Sequence, residues 1–498
     1  MSNITMVTPK QEAPNYDGAD YDKAVGEACP NYNTATEHQE DLFAAGEGDV
    51  NFRGVSWQGA AVLCAKFQIG LGIIGLPSTF DALGFFPGIL CFCVLWTMST
   101  FAGYLCGNAR QYYPHMHNIG DAAHHMFGLA GREFVGTVYY IYVALTAGAG
   151  TLAVSVAFNA LSEHGACTMA FAGAGAAATL VVGTGVRDLE RVSWLGWVGV
   201  TSTLIAIWTT AIACLAQSRP AAAPPGAPPP DVRAFPETTF AEAMAAIANQ
   251  LFTVGGSSIF FSISAEMKNP EKFTRSLLCG HTFLLVVSLA TSSIMYAKLG
   301  QYLASPALGS AGLLFKKICY GITLPGLIIS AVLFSHAGAK YWFVKILRGT
   351  RHLQSNTLVH WSVWSGAMLV TVAFGVIIIG LVPFFDDFLA LIGAITNPIL
   401  VFITPGFMLL YFLARRPSKA TERGLVHDEE ETGRHWLVDS LTVYKRGWSD
   451  ALFMGIAWFM LVSGLFIIVG GTYGTVFIIN EKYGDGKIGG VFQCADNS

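Results

Sequence analysis

Charge is what this chain lacks first. Asp, Glu, Lys and Arg together make 12% of its 498 residues, where soluble globular domains carry roughly a quarter. With 53% hydrophobic residues and a mean hydropathy of +0.49, the soluble and disordered classes are excluded and an all-α polytopic membrane protein is expected. A net charge of -4 gives no reason to expect a nucleic acid partner; the lipid bilayer is the expected one. A cleavable leader is also missing: residues 1 to 50 are polar and acidic with no apolar centre, and 1 to 55 reads as a disordered cytoplasmic tail. The ten cysteines show no metal-ligand spacing. No metal or cofactor is expected, and cysteines in runs such as Cys91-Phe92-Cys93 read as packing residues.

Apolar runs are what the chain has in abundance. Eleven are long enough to cross a bilayer, which takes ~20 helical residues: about 57–80, 84–108, 134–160, 166–185, 192–215, 240–265, 276–299, 322–347, 358–382, 384–412 and 449–478. An odd number puts the termini on opposite sides. With the amino terminus inside, the inner loops hold Arg110, Arg132, Arg187, Arg191, Lys268, Lys272, Arg275, Lys345, Arg348, Arg351 and the basic residues of 415 to 446. The outer loops hold only Arg219, Arg233, Lys316, Lys317, Lys482 and Lys487. That bias sets a cytoplasmic amino terminus and an extracellular tail, 479–498. The sequon Asn3-Ile4-Thr5 would then be unused. Cys167, Cys319 and Cys494 fall outside, with Cys167–Cys494 the preferred disulfide.

Two spans are interrupted. In the first, Gly70, Gly72, Gly75 and Pro77 break a helix within the hydrocarbon thickness, where freed backbone groups must line a cavity or a ligand. In the sixth, Thr253-Val254-Gly255-Gly256-Ser257-Ser258 does the same. The Pro-rich loop 220–230 reads as a polyproline-like outer spacer between two five-span halves, about 57–215 and 240–412, with 449–478 as an additional helix. Breaks at matching places in the two halves point to inverted repeats with a midplane site. The glycines of the fourth span, around Gly173 and Gly175, read instead as close packing.

Gly70 to Pro77, followed by Ala82-Leu-Gly-Phe-Phe-Pro-Gly88, resembles the opening of the amino acid/auxin permease family. Tyr113 to Asn118, Ala265 to Pro270, His336 to Leu353 and Gly490 to Ser498 make the chain similar to fungal neutral amino acid permeases of the methyltryptophan-resistance type. The resemblance implies eleven spans in a leucine-transporter type fold and ion-coupled amino acid symport, with a proton rather than sodium as the coupling ion. It also implies alternating access, in which spans 1, 2, 6 and 7 move against 3, 4, 8 and 9. One position departs from the family pattern: Lys66 stands where an acidic residue often precedes the first glycine.

The amides around Gly70, Leu71, Gly72, Ile73 and Gly75 open a half-helix and suit a carboxylate. Carbonyls at Phe252, Thr253 and Val254 suit an ammonium, a role the resemblance also implies. Gly256, Ser257, Ser258 and Phe260, with Tyr139, Tyr140 and Tyr142, are the candidates facing the substrate side chain. With no acid or base in the broken part of span 6, a neutral amino acid is expected. Lys66, Glu266 and His336 are the coupling candidates, although Lys66 could instead snorkel to the surface and Glu266 could pair with Lys268 or Arg275 as a gate. His281 reads as a satisfied buried histidine, and Asp386-Asp387 as solvated.

Three rival readings stand beside this one. His115, His117, Asp121, His124 and His125 form a cluster of the kind membrane di-iron hydroxylases use, but the remaining histidines are scattered. An amino acid sensor without net transport would use the same site. The same fold could also serve a vacuolar rather than a plasma membrane.

Overall fold

The computed structural model describes residues 54–113, 116–186, 189–353, 355–382, 385–415, 436–484, 492 and 494–496. Expectations for the tail before residue 54, the sequon and His115 lie outside them. The described residues form eleven helices long and apolar enough to cross a membrane. They are α1 (Trp57–Gly75), α2 (Phe85–Tyr112), α3 (Ile119–Ser162), α4 (Thr168–Gly185), α5 (Val192–Ala216), α6 (Phe240–Ala265), α7 (Pro270–Tyr302), α8 (Leu313–Leu347), α9 (Leu358–Leu381), α10 (Phe385–Arg415) and α11 (Trp448–Gly484). Among the described residues there is no strand, only an isolated bridge between Val55 and Met267.

Burial sorts the helices. The apolar window of α6 is 94% buried within the protein, that of α11 only 28%. Since lipid is as apolar as the interior, a helix is enclosed by close packing and polar contacts rather than by hydrophobicity. α1, α3, α6 and α10 have the small and polar residues to do this, as where Gly148 of α3 meets the backbone of Gly375 in α9. In α4, Gly175 packs on Val154 and Thr151 of α3, whereas Gly173 faces open space.

Two helices begin earlier than hydropathy predicts. α3 starts at Ile119 because Asn118 caps it through the Asp121 amide at 3.0 Å. Gly128, at φ 66°, then turns the chain before the apolar stretch. α8 starts at Leu313 and carries Pro325 inside it. The Pro-rich loop is fastened across the face opposite the start of α1, and is therefore not a free spacer. Tyr302 donates to the Pro228 carbonyl at 3.0 Å, the Asp231 amide to Gln301 at 2.7 Å, and the Phe85 amide to the Arg233 carbonyl at 3.0 Å. On that same opposite face Cys167 and Cys494 form a disulfide, and Cys319 is a buried free thiol.

Candidate functional site

The two interrupted helices meet at their interruptions. α1 is helical over Trp57–Ile69, turns at Gly70 and Leu71, and resumes for one turn over Gly72–Gly75. α6 is an α-helix from Phe240 to Val254, opened by a Thr239–Glu242 capping box. It tightens to a 3-10 helix over Gly255–Ile259, then resumes over Phe260–Ala265. A Cβ on Gly72 would lie 2.6 Å from the Thr253 Cα, so only glycine allows this approach. Thr253 Oγ1 donates to the Gly72 carbonyl at 3.2 Å, and Asn249 Nδ2 to that of Gly75 at 3.5 Å.

Side chains already serve the α6 carbonyls at the break. Gln68 of α1 donates to Val254 O at 3.2 Å, Ser99 of α2 donates to the same oxygen, and Asn397 of α10 donates to Leu251 O at 3.2 Å. Gln68 and Asn397 were not among the sequence candidates; a buried amide beside an interrupted helix was the available signal. Ser257 Oγ, Ser258 Oγ, Gln68 Oε1 and Asn397 Oδ1 are buried without a hydrogen-bond partner in the structure. Native structures rarely leave such groups unpaired unless a ligand or water meets them.

The other sequence candidates divide. Tyr139, with Phe67, Ile259, Ser262 and Ile263, lines a cavity that continues to His336, Glu266 and Lys340. Its free volume is about 30 Å³, more than the ~10–15 Å³ that holds one water. Tyr142 reaches the same neighbourhood through Phe334, whose ring stands 5.2 Å from Phe67. Tyr140 instead packs on Trp342 and Phe374, and Phe260 on Phe273 and His281. Phe252 is turned to Gly393 of α10, and Leu71 and Ile73 are buried in the core. Gly256 packs against the Gln68 side chain, and Gly70 against Ser330.

Lys66 does not snorkel. It is fully buried, and Nζ donates to the Gly326 carbonyl at 3.0 Å and to Ser330 Oγ at 2.8 Å, both on α8, beside Gly199 of α5. Glu266 pairs with Lys340 of α8. Close by, Arg275 stacks over Trp57 at 4.2 Å, and the Lys268 amide bonds to the Val55 carbonyl at 2.9 Å. His336 lies one turn before Lys340, its ring 5.0 Å from Trp364. His281 is satisfied as expected, by Thr100 at 2.9 Å and Gln68 at 3.1 Å. Of the aspartates of α10, Asp387 is not solvated but buried and paired with Lys482 of α11, and Asp386 is half-buried and accepts a bond from Ser78. In the histidine-rich segment, Asp121 accepts from the His117 amide at 2.9 Å and lies 3.5 Å from both Arg132 and Arg348.

A family model for transmembrane amino acid transporter proteins matches residues 53–428. The chain belongs to that family. It is 30% identical, over 94% of its length and 93% of theirs, to a transmembrane transporter of Fusarium pseudograminearum. It is 25% identical to the N amino acid transport system protein of Neurospora crassa, covering 91% of this chain and 90% of that protein. Among solved structures it resembles Mhp1, a nucleobase-cation-symport-1 family transporter, with a TM-score of 0.52 at 13% identity, over 90% of this chain and 97% of that one. That likeness is one of fold, and the fold is of the leucine-transporter type. This member of the family thus keeps its two interrupted helices in contact at the centre of the bundle.

Proposed function

We propose that this amino acid transporter is a secondary active one, carrying neutral amino acids across the plasma membrane by ion-coupled symport, with a proton rather than sodium as the coupling ion. The substrate is held where α1 and α6 are interrupted. One observation carries this reading: Ser257 Oγ, Ser258 Oγ, Gln68 Oε1 and Asn397 Oδ1 are buried and unpartnered around the two breaks, which suits a small polar guest. Amides of the Gly70 to Ile73 part of the turn serve its carboxylate, since those of Ile74 and Gly75 already bond to the Leu71 carbonyl. Carbonyls from Phe252 to Val254 serve its ammonium once Gln68 or Ser99 turns away from Val254. Tyr139 and the apolar lining beside it receive the side chain. Lys66 is committed to α8, so it leaves no charge at the α6 break to select an acidic substrate.

The breaks in α1 and α6 are the corresponding features of two inverted repeats, about 57–215 and 240–412. The Cys167–Cys494 disulfide supports an orientation with this face, and the carboxyl-terminal tail, outside the cytosol, because cytosolic thiols stay reduced. Uptake of a panel of radiolabelled amino acids into proteoliposomes, at two pH values with and without sodium, tests the proposal. Accumulation of neutral amino acids driven by an acidic exterior is expected. Uptake confined to charged amino acids, or binding without accumulation as a sensor would give, would overturn it.

A further inference from the structure

At the opposite-face end of α10, Asp386 sits against the tail of α1. Its Oδ2 accepts the Ser78 hydroxyl, and Ser305 of the α7–α8 loop lies close by. Its Oδ1 is sealed from solvent and has no partner. The amide oxygen of Asn249, a residue only 3% exposed, is likewise unpartnered. Both oxygens converge on one place: a Cβ built on Gly75 would lie 3.1 Å from Asp386 Oδ1 and 3.5 Å from Asn249 Oδ1. Two sealed acceptors, one of them anionic, thus lie against the same turn of α1, each without a hydrogen-bond partner.

The charged groups around Asp386 have partners of their own, although Asp387 and Lys482 also act on it through space. On α10 and α11, Asp387 and Lys482 pair with each other. Glu242 of α6 is held by Thr238 and Thr239, and Glu163 at the end of α3 pairs with Lys317 of α8. Tyr320 of α8 offers a phenol, itself unpartnered. Among the described residues no ion pair is formed by the half-buried Asp386, and a sealed carboxylate oxygen left without a partner costs stability unless something satisfies it.

We propose that Asp386 is the proton-binding residue of the opposite face, with Asn249 as the acceptor that orients its proton. A proton taken from water forms one O–H bond on Oδ1, neutralises the carboxylate, and gives this end of α10 a donor toward the Gly75 turn and Asn249; release breaks that bond and returns the proton to water. Asp386 also joins α10 to α1 through Ser78, so protonation changes the contact by which α1, and α6 behind it, is held on this face. The inference rests on the transport reading above and names a coupling residue not among Lys66, Glu266 and His336.

The test uses the full chain in proteoliposomes, with a mixture of radiolabelled neutral L-amino acids, an acidic exterior one pH unit below the interior, and a pH-sensitive dye inside. One pH unit supports about tenfold accumulation by one-proton symport. The wild type is expected to approach that and to acidify the interior. Asp386→Asn, which keeps the size and the Ser78 contact, is expected to bring the solute only to equal concentrations, with no proton entry and a flat pH profile. Asp386→Glu is expected to keep pH-driven accumulation, which separates a proton role from a packing role. Wild-type accumulation and acidification by Asp386→Asn would overturn the inference alone. A wild type that exchanges amino acids but ignores the pH gradient would overturn it too. A wild type that exchanges no amino acid would overturn the transport reading and, with it, this inference.

Discussion

Substituting Gly72 by alanine tests whether the contact of α1 with α6 is the working centre of the protein. The added Cβ would stand 2.6 Å from the Thr253 Cα and 2.9 Å from its Cβ and Cγ2. The nearest of these is backbone, which cannot rotate away, so the two helices must separate by on the order of 1 Å to restore ordinary contact. Overpacking of this kind costs about 1–3 kcal/mol. Separation also lengthens the Thr253-to-Gly72 bond, now 3.2 Å, and shifts the amides proposed to hold the carboxylate. If that cost falls on the binding-competent arrangement, affinity drops by roughly 5- to 150-fold. The control is Gly173→Ala on α4, where a Cβ would meet nothing within 4 Å. Uptake and equilibrium binding would be compared at matched surface expression. Gly72→Ala with wild-type affinity, or Gly173→Ala with an equal loss, would refute the placement of the site.

The remaining predictions concern the two buried lysines. Lys66→Met removes the donor to Gly326 and Ser330 while keeping a long apolar side chain, and ion-gradient dependence of uptake is expected to fall at least about tenfold, near 1.4 kcal/mol. Uptake with unchanged ion dependence would exclude Lys66 from coupling. Glu266→Gln leaves Lys340 with its charge uncompensated, which for a buried pair costs about 3–5 kcal/mol. Adding Lys340→Met should recover most of that in a thermal unfolding assay, whereas an additive double mutant would show that the pair is not coupled.

The membrane spans were legible because a run of ~20 apolar residues has few other uses. Their starts were less so: α3 reaches back to Ile119 through a left-handed Gly128 and a polar first segment that hydropathy cannot register. The glycines at 70, 72 and 75 and at 255 and 256 marked the breaks, since their local cost in a helix is visible without any partner. What the sequence could not reveal were the partners. Lys66 reaches acceptors 260 and 264 residues away, and Glu266 pairs with Lys340, 74 residues on. Asp386 and Asp387 looked solvated because they stand at a span end, yet α1 and α11 close over them. Gln68 was passed over for a similar reason, since an uncharged amide next to Lys66 draws no attention until its carbonyl partner on α6 is known.

The contacts of α1 fall into two chemical kinds, and the division matches the motion the family resemblance implies. Toward α6 they are neutral: Gly72 with Thr253, Gly75 with Asn249, Gln68 with Val254, and the Val55 amide bonded to the Glu266 carbonyl. These bonds do not depend on pH, so α1 and α6 remain joined in any protonation state. Where this joined pair meets α8 and α10, Asn397 of α10 makes a neutral bond to the Leu251 carbonyl, and three further contacts run through an ionisable side chain: Lys66 to α8, Glu266 to Lys340 of α8, and Ser78 to Asp386 of α10. Such contacts change strength when a proton or a neighbouring charge arrives. Two of them sit toward the face where α1 begins and one on the opposite face, so a charge change at one end loosens one set while the other still holds. The alternating access that the family resemblance implies would draw on that asymmetry, which follows from where the few charges of an apolar bundle are placed.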